Sequence, residues 1–146
     1  MLRTLALRVV SFPSAQYRWA AAEDARREGR WTDVARLIES MHRTHWQNDN
    51  SHYLLGLACT NLGRYEDAVN EFEQISEKLD IDECEQARWL NHALSLSQIG
   101  RPRAALEILP PREDMATKFP DFAERAVQLH DDIVAFLEDS SGSLES

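Results

Sequence analysis

The sequence predicts an all-α domain made of helical hairpins that recur along the chain. Three glycines, Gly29, Gly63 and Gly100, each precede an arginine and separate two predicted helical segments. On both sides of these glycines, apolar residues are spaced three and four apart, as on one face of an amphipathic helix. With 146 residues, the chain is long enough to bury the core of one domain.

The middle hairpin, within residues 50–75, shows the pattern most clearly. Apolar residues form one stripe on each predicted helix: Leu54, Leu55, Ala58 and Leu62 on the first, and Tyr65, Ala68, Val69, Phe72 and Ile75 on the second. Gly63 stands where a helix ends in the left-handed conformation, which a residue without a Cβ adopts most easily. Gly56 and Ala68 are small residues at positions where the two helices must approach closely.

The spacing of the hinge glycines is nearly constant. Gly29 and Gly63 are 34 residues apart and Gly63 and Gly100 are 37 apart, so the second junction carries three extra residues. The three helix pairs are predicted over residues 15–28 and 31–42, over 50–62 and 65–78, and over 83–99 and 102–109. Pro102 fits the first turn of the last of these helices, because the missing N–H costs nothing there.

The array resembles the tetratricopeptide repeat (TPR) family, whose unit is a 34-residue helix pair. In the middle copy, Leu55-Gly56 corresponds to the family's Leu-Gly pair, and Ala68 and Phe72 to its Ala-x3-Phe pattern. The glycine and phenylalanine positions hold other residues in the flanking copies: Ala22 and Ile38 in the first, Ala93 and Leu109 in the third. The resemblance implies an all-α fold of three TPR-like antiparallel helix pairs in a right-handed superhelix, plus a C-terminal capping helix.

The predicted organisation has four parts. Residues 1–14 form an N-terminal segment, 15–112 the three repeats, 113–138 a linker and the capping helix, and 139–146 a tail that is disordered by composition. The capping helix is predicted over residues 120–138. The N-terminal segment faintly resembles a mitochondrial presequence, because no acid precedes Glu23, and the alternative is a short helix that covers the first repeat.

Charge and composition argue against several functions. The net charge of −9 opposes nucleic-acid binding, which depends on neutralised phosphates. No run approaches the roughly 20 apolar residues of a membrane span. Cys59 and Cys84 form no metal or disulfide motif, and Cys59 is predicted to be a small core residue. The acidic stretch over residues 66–85 is interpreted as a solvated surface, with a basic partner as the alternative.

The sequence predicts neither an enzyme nor a cofactor. It contains no phosphate-binding glycine loop, no nucleophile elbow and no zinc-protease motif. His42 and His45 are three residues apart and His52 is nearby, but no carboxylate or thiolate stands at a spacing typical of a metal site. We therefore expect no catalytic residue and no metal.

The TPR resemblance implies where a partner binds, since the first helix of each pair lines the concave groove in that family. The corresponding candidates are Trp19, Glu23, Arg26, Tyr53, Leu57, Asn61, Leu90 and Leu94. Their apolar members suit an apolar extended peptide or an amphipathic helix. The alternative is that some of them pack on the N-terminal segment, which would occlude the groove.

The predicted function is a non-catalytic protein–protein interaction module, an adaptor or scaffold in the cytoplasm. One alternative is a chaperone for a hydrophobic client, similar to the TPR chaperones of type III secretion. Those chaperones are often dimers, so this resemblance implies a homodimer as an alternative to a monomer. The chain shares their layout and has a Lys-Phe-Pro-Asp-Phe segment before the last helix. Another alternative is an organellar adaptor whose N-terminal segment is a presequence.

Overall fold

The computed structural model of the chain describes the backbone of residues 15–145 and the side chains of residues 16–141. Over this part the chain forms eight α-helices, one short 3-10 helix and no strand. The helices are α1 (Ala15–Arg27), α2 (Trp31–Arg43), α3 (Asp49–Asn61), α4 (Tyr65–Glu73), α5 (Asp82–Gln98), α6 (Pro102–Ile108), α7 (Met115–Lys118) and α8 (Ala123–Glu145), with the 3-10 helix Arg112–Asp114 before α7. The all-α class is confirmed for these residues, whereas the predicted N-terminal segment lies outside them.

The three hinge glycines end their helices as the sequence predicts. Their φ angles are +72° at Gly29, +75° at Gly63 and +81° at Gly100, in the left-handed region. After Gly63, the Arg64 N–H donates to the carbonyl of Cys59 over 2.8 Å, which caps the end of α3. The same backbone bond closes the other two hinges, so the turns α1–α2, α3–α4 and α5–α6 share one geometry.

The start of α3 is also set by its local sequence. The Ser51 N–H donates to Asn48 Oδ1 over 2.8 Å, and the Asn48 N–H donates to Ser51 Oγ over 3.0 Å. This reciprocal pair satisfies two N–H groups that have no partner inside the helix. This capping box fixes the first turn of α3.

Each helix packs on the next one from α1 to α6, and α3 also contacts α5. The buried side chains form two clusters. The first lies among α1 to α4 and includes Ala22, Ile38, Leu54, Cys59 and Phe72. The second lies among α4 to α8 and includes Leu90, Ala93, Leu109, Phe119 and Ile133. Cys59 is buried, as expected, and burial raises the pKa of its thiol to about 11.

Helix α4 ends earlier than the sequence predicts. Residue 78 is its expected last residue, but the helix stops at Glu73 and residues 74–81 form a junction loop. The Asp49 carboxylate accepts hydrogen bonds from the Ser76 and Glu77 N–H groups, each over 3.1 Å. Although burial favours the protonated acid, these bonds outweigh it and lower the pKa of Asp49.

A buried ion pair on α5 holds the same junction loop. Arg88 donates to the carbonyls of Ile75 and Glu77 over 3.4 and 3.1 Å. Its partner Glu85, 3.2 Å away, accepts the Leu79 N–H over 2.7 Å. Because these side chains of α5 satisfy loop backbone groups, the loop is stable without continuing α4.

The C-terminal part contains more helix than the sequence predicts. Instead of a loop up to residue 119, the 3-10 helix and α7 bury Met115 and Phe119. Gln86 exchanges two 2.9 Å hydrogen bonds with Asp121, which fixes the turn before α8. Helix α8 packs on α5, α6 and α7 and continues to Glu145, where a disordered tail was expected from residue 139. The composition of residues 139–146 predicts disorder, but each residue added to an established helix gains a backbone hydrogen bond, and this gain extends α8.

Candidate partner-binding surfaces

Four of the eight predicted groove residues lie together in a cleft of about 250 Å³ between α1, α3 and the junction loop. We call it the first cleft. It is lined by Trp19, Glu23, Arg26, Asn50, Tyr53, Leu54, Leu79, Asp80, Ile81 and Cys84. Trp19, Glu23 and Arg26 come from α1 and Tyr53 from α3, so two helices contribute side chains to this cleft.

The floor of the first cleft is held in place by packing. Trp19 is half-buried, with its ring centroid 6.0 Å from that of Trp46 in the α2–α3 connection. Tyr53 is half-buried as well, and burial, followed by the neighbouring Cys84, raises the pKa of its phenol. The two aromatic rings therefore form a fixed apolar surface of the kind that anchors a partner side chain.

The rim of the first cleft exposes one large apolar side chain among charged ones. Ile81 is 64% exposed, although it stands beside Leu79, which is buried. Around it lie the carboxylates of Glu23 and Asp80 and the guanidinium of Arg26. The cleft can therefore accept an apolar group on its floor and interact with charged groups at its edge.

Two further groove residues lie in a second cleft, of about 320 Å³, between α5 and α8. It is lined by Ala87, Leu90, Asn91, Leu94, Phe122, Arg125, Gln128, Leu129 and Asp132. Leu90 belongs mainly to the buried core, whereas Leu94 is half-buried. Leu57 and Asn61 line neither cleft, and the Asn61 amide donates to the Leu57 carbonyl over 2.8 Å. The apolar groove candidates are thus divided between two clefts, and Leu57 lies in neither.

Sequence reasoning did not identify the residues that complete these clefts. Leu79 and Ile81 come from the junction loop, and Phe122 and Leu129 come from α8. The three extra residues at the second junction were the available signal for the loop. The apolar stripe of the last helix was the signal for α8, but it was assigned wholly to capping.

A third feature is a polar cluster that joins α2, α3 and α4. Among the described residues, His42, His52 and Glu71 bring one potential metal-ligand atom each within 4.8 Å of one another. His52 Nδ1 lies 2.7 Å from Glu71 Oε2, and His42 Nε2 lies 2.9 Å from Ser51 Oγ. Burial, and then the neighbouring His52, keep the pKa of His42 below its usual value. His45, which the sequence groups with these histidines, is exposed and outside the cluster.

Comparisons with known proteins assign a family. No curated protein and no solved structure matches the chain at a significant level. Over residues 15–145, no helix is both long enough and apolar enough to span a bilayer. The model of the family described as "T7SS, ESX-1 secretion system protein EccA1, N-terminal domain" matches residues 4–132. Since this match spans well over half of the 146 residues, the chain belongs to the family of EccA1 N-terminal domains.

Proposed function

We propose that the chain is a non-catalytic protein-interaction module of a secretion system, and that it binds an apolar segment of a protein partner in the first cleft. The observation that carries this proposal is the exposed Ile81 side chain beside the fixed Trp19 and Tyr53 rings. The family's description as a secretion-system protein supports a partner from that system.

The proposal includes the TPR architecture, with three helix pairs in a right-handed superhelix. It is supported by the three equivalent left-handed glycines and by the packing of each helix from α1 to α6 on its neighbour. The contact between α3 and α5 adds support, because first helices of successive pairs adjoin one another in such an array. In this arrangement α8 covers the last pair.

The partner chemistry follows from the first cleft. An amphipathic helix or an extended peptide would place one large apolar side chain against Trp19 and Tyr53. Basic side chains on its flanks would face Glu23 and Asp80, and the net charge of −9 favours the approach of a basic partner. A partner that carries both features suits this cleft better than a purely apolar one.

A second candidate function is that of a chaperone that holds a hydrophobic client, and the secretion-system family favours it. The second cleft supports it, since Leu94, Phe122 and Leu129 would extend the apolar surface available to a longer client. Cytoplasmic location and a homodimer stay predictions. A mitochondrial location gains no support from a secretion-system family.

The test is affinity copurification from the source cell with two matched variants, Ile81→Glu and Phe136→Glu. Ile81 is 64% exposed and Phe136 is 60% exposed, so neither substitution should disturb the core. We expect wild type and Phe136→Glu to retain a protein that Ile81→Glu loses. The captured protein, purified, should then bind wild type directly and bind Ile81→Glu at least about tenfold more weakly, as for an interface anchor.

Other outcomes would contradict or redirect the proposal. Direct binding that is equal for wild type and Ile81→Glu would exclude the first cleft. Leu94→Glu would then test the second cleft. A folded wild-type chain that captures no partner and forms a dimer would indicate that its own surface fills the cleft. If the chain captures a partner only after removal of residues 1–14, that segment occludes the cleft.

A further inference from the structure

We propose that His42, His52 and Glu71 form a binding site for one zinc ion, which joins α2 to the α3–α4 hairpin. The three side chains come from three helices and converge at one point. This site is independent of the first cleft and of the proposed protein partner.

The donor set fits zinc. Imidazole nitrogen is a preferred ligand of zinc, and two imidazoles with one carboxylate are a recurrent three-ligand zinc set, whereas magnesium and calcium prefer oxygen ligands alone. Zinc–ligand bonds of about 2.0–2.2 Å in a tetrahedron would place the donor atoms roughly 3.4 Å apart. In the structure all three lie within 4.8 Å of one another, and binding an ion between them would require the side chains to rotate.

His42 adds a second imidazole beside the bond between His52 and Glu71. The His52–Glu71 bond over 2.7 Å joins α3 to α4 without a third residue. His42 comes from the preceding hairpin, yet its ring centroid lies 5.0 Å from that of His52. A metal ion placed between the two imidazoles and the carboxylate would give all three side chains a common partner.

The surroundings supply the other features of a metal site. Ser51 Oγ lies 2.9 Å from His42 Nε2 and orients that ring, as residues that hydrogen-bond to metal-ligating histidines do. A cavity of about 340 Å³, lined in part by His42 and Glu71, gives the ion a path from solvent and leaves room for a water as fourth ligand.

The charges that face this cavity do not exclude a cation. Arg64 lines it, but its guanidinium is paired with Glu39 and with Asp67, each over 3.0 Å. The remaining charged groups are Arg43 and Glu71 itself. A divalent ion would therefore enter a cavity that carries three carboxylates and two guanidinium groups.

The test is calorimetric titration of the full-length, tag-free chain with zinc chloride after removal of metal by a chelator. We expect one zinc ion per chain for wild type. Glu71→Gln keeps the size of the side chain and removes its charge, and it should weaken zinc binding by at least about tenfold, as should His52→Gln. His45→Gln is the matched control, because His45 is a neighbouring exposed histidine, and it should bind zinc as wild type does.

Two further readouts keep folding defects apart from metal binding. Zinc should raise the melting temperature of wild type and of His45→Gln, but not that of Glu71→Gln. Cobalt(II) in place of zinc should give the visible absorption of a four-coordinate site in the first two proteins only. The proposal is overturned by a wild-type chain that takes up no stoichiometric zinc, by equal affinity in wild type and Glu71→Gln, or by a loss of binding in His45→Gln.

Discussion

The middle hairpin and its two neighbours place different residue pairs at the same two positions. The pairs are Gly56 with Phe72 in the middle hairpin, Ala22 with Ile38 in the first and Ala93 with Leu109 in the third. All six residues are buried. The pair with the smallest residue on the first helix therefore has the largest residue on the second.

The geometry of the middle pair shows why the exchange is needed. A Cβ on Gly56 would lie 2.7 Å from Phe72 Cε1 and 2.9 Å from Cδ1 and Cζ of the same ring. The phenylalanine ring thus occupies the volume that an alanine methyl group would need. We infer that the hairpins conserve the summed volume of the pair rather than the identity of either residue, as close-packed cores require.

The largest effect is expected from Gly56→Leu. The added side chain must displace a ring that is fully buried, so we expect a loss of about 1–3 kcal/mol in the free energy of unfolding, or more if the ring cannot move. Urea unfolding followed by circular dichroism measures this loss. Ala20→Leu, on an exposed position of α1, is the control and should change stability by less than about 0.5 kcal/mol.

A double-mutant cycle sharpens the comparison. Gly56→Ala with Phe72→Leu gives the middle hairpin the residue pair of the third. We expect the double variant to be more stable than the sum of the single changes predicts, by about 1 kcal/mol, because the smaller leucine makes room for the methyl group. Additivity within about 0.5 kcal/mol would show that the two positions do not exchange volume.

Local chemistry explains which parts of this fold were predictable. The left-handed glycines and the close approach at Gly56 depend on residues near each other in sequence, and the sequence predicts both. The meeting of Trp19 and Tyr53 in one cleft was also anticipated, through the repeat register.

Contacts between distant residues account for what was missed. The end of α4 depends on Asp49 and Arg88, which reach the junction loop from α3 and α5. Glu71 reaches His52 from a helix that begins after the next hinge, so no sequence spacing of histidines reveals it. The position of α8 beside Leu94 likewise depends on packing that an apolar stripe alone does not specify.

The second effect concerns the feature in which the three hairpins agree. Replacing Gly29, Gly63 or Gly100 by alanine should cost about 1–2 kcal/mol each, because a Cβ is strained at positive φ. Among the described residues, and apart from the two adjoining ones, no atom lies within 4 Å of a Cβ at any of the three, so backbone strain is the expected cause. The measurement is urea unfolding of the three single variants.

Equal losses would show that the hinges are equivalent although the packed pairs are not. A loss confined to Gly63→Ala would contradict this equivalence. It would mean that the middle hairpin controls unfolding and that the outer hairpins open independently, as weakly coupled repeats do.

The smallest effect concerns a position where the middle and third hairpins differ in polarity. Leu55 in the middle hairpin corresponds to His92 in the third, and both are buried. The His92 ring is stacked between Phe72 and Trp89, with centroids 5.7 and 6.0 Å away. Among the described residues, neither of its ring nitrogens has a hydrogen-bond partner.

Burial lowers the pKa of His92 below its usual value of 6.5. Glu73 opposes this effect, whereas the nearby Arg88 and Arg101 add to it. The unfolded chain therefore binds a proton more readily than the folded chain. Stability should fall as the pH decreases below about 6.5 toward the lower folded-state pKa.

His92→Leu should remove this part of the pH dependence and, by eliminating unpaired buried nitrogens, raise stability at pH 7 by up to about 1 kcal/mol. Urea unfolding of wild type and variant at a series of pH values from neutral downward measures both effects. Some pH dependence should persist in the variant, because the pKa of His42 is also lowered by burial. The contrary outcome is a His92→Leu variant that is less stable than wild type at pH 7 and has the same pH profile. It would mean that the imidazole contributes a polar contact, and that the third hairpin is not simply a more polar version of the middle one.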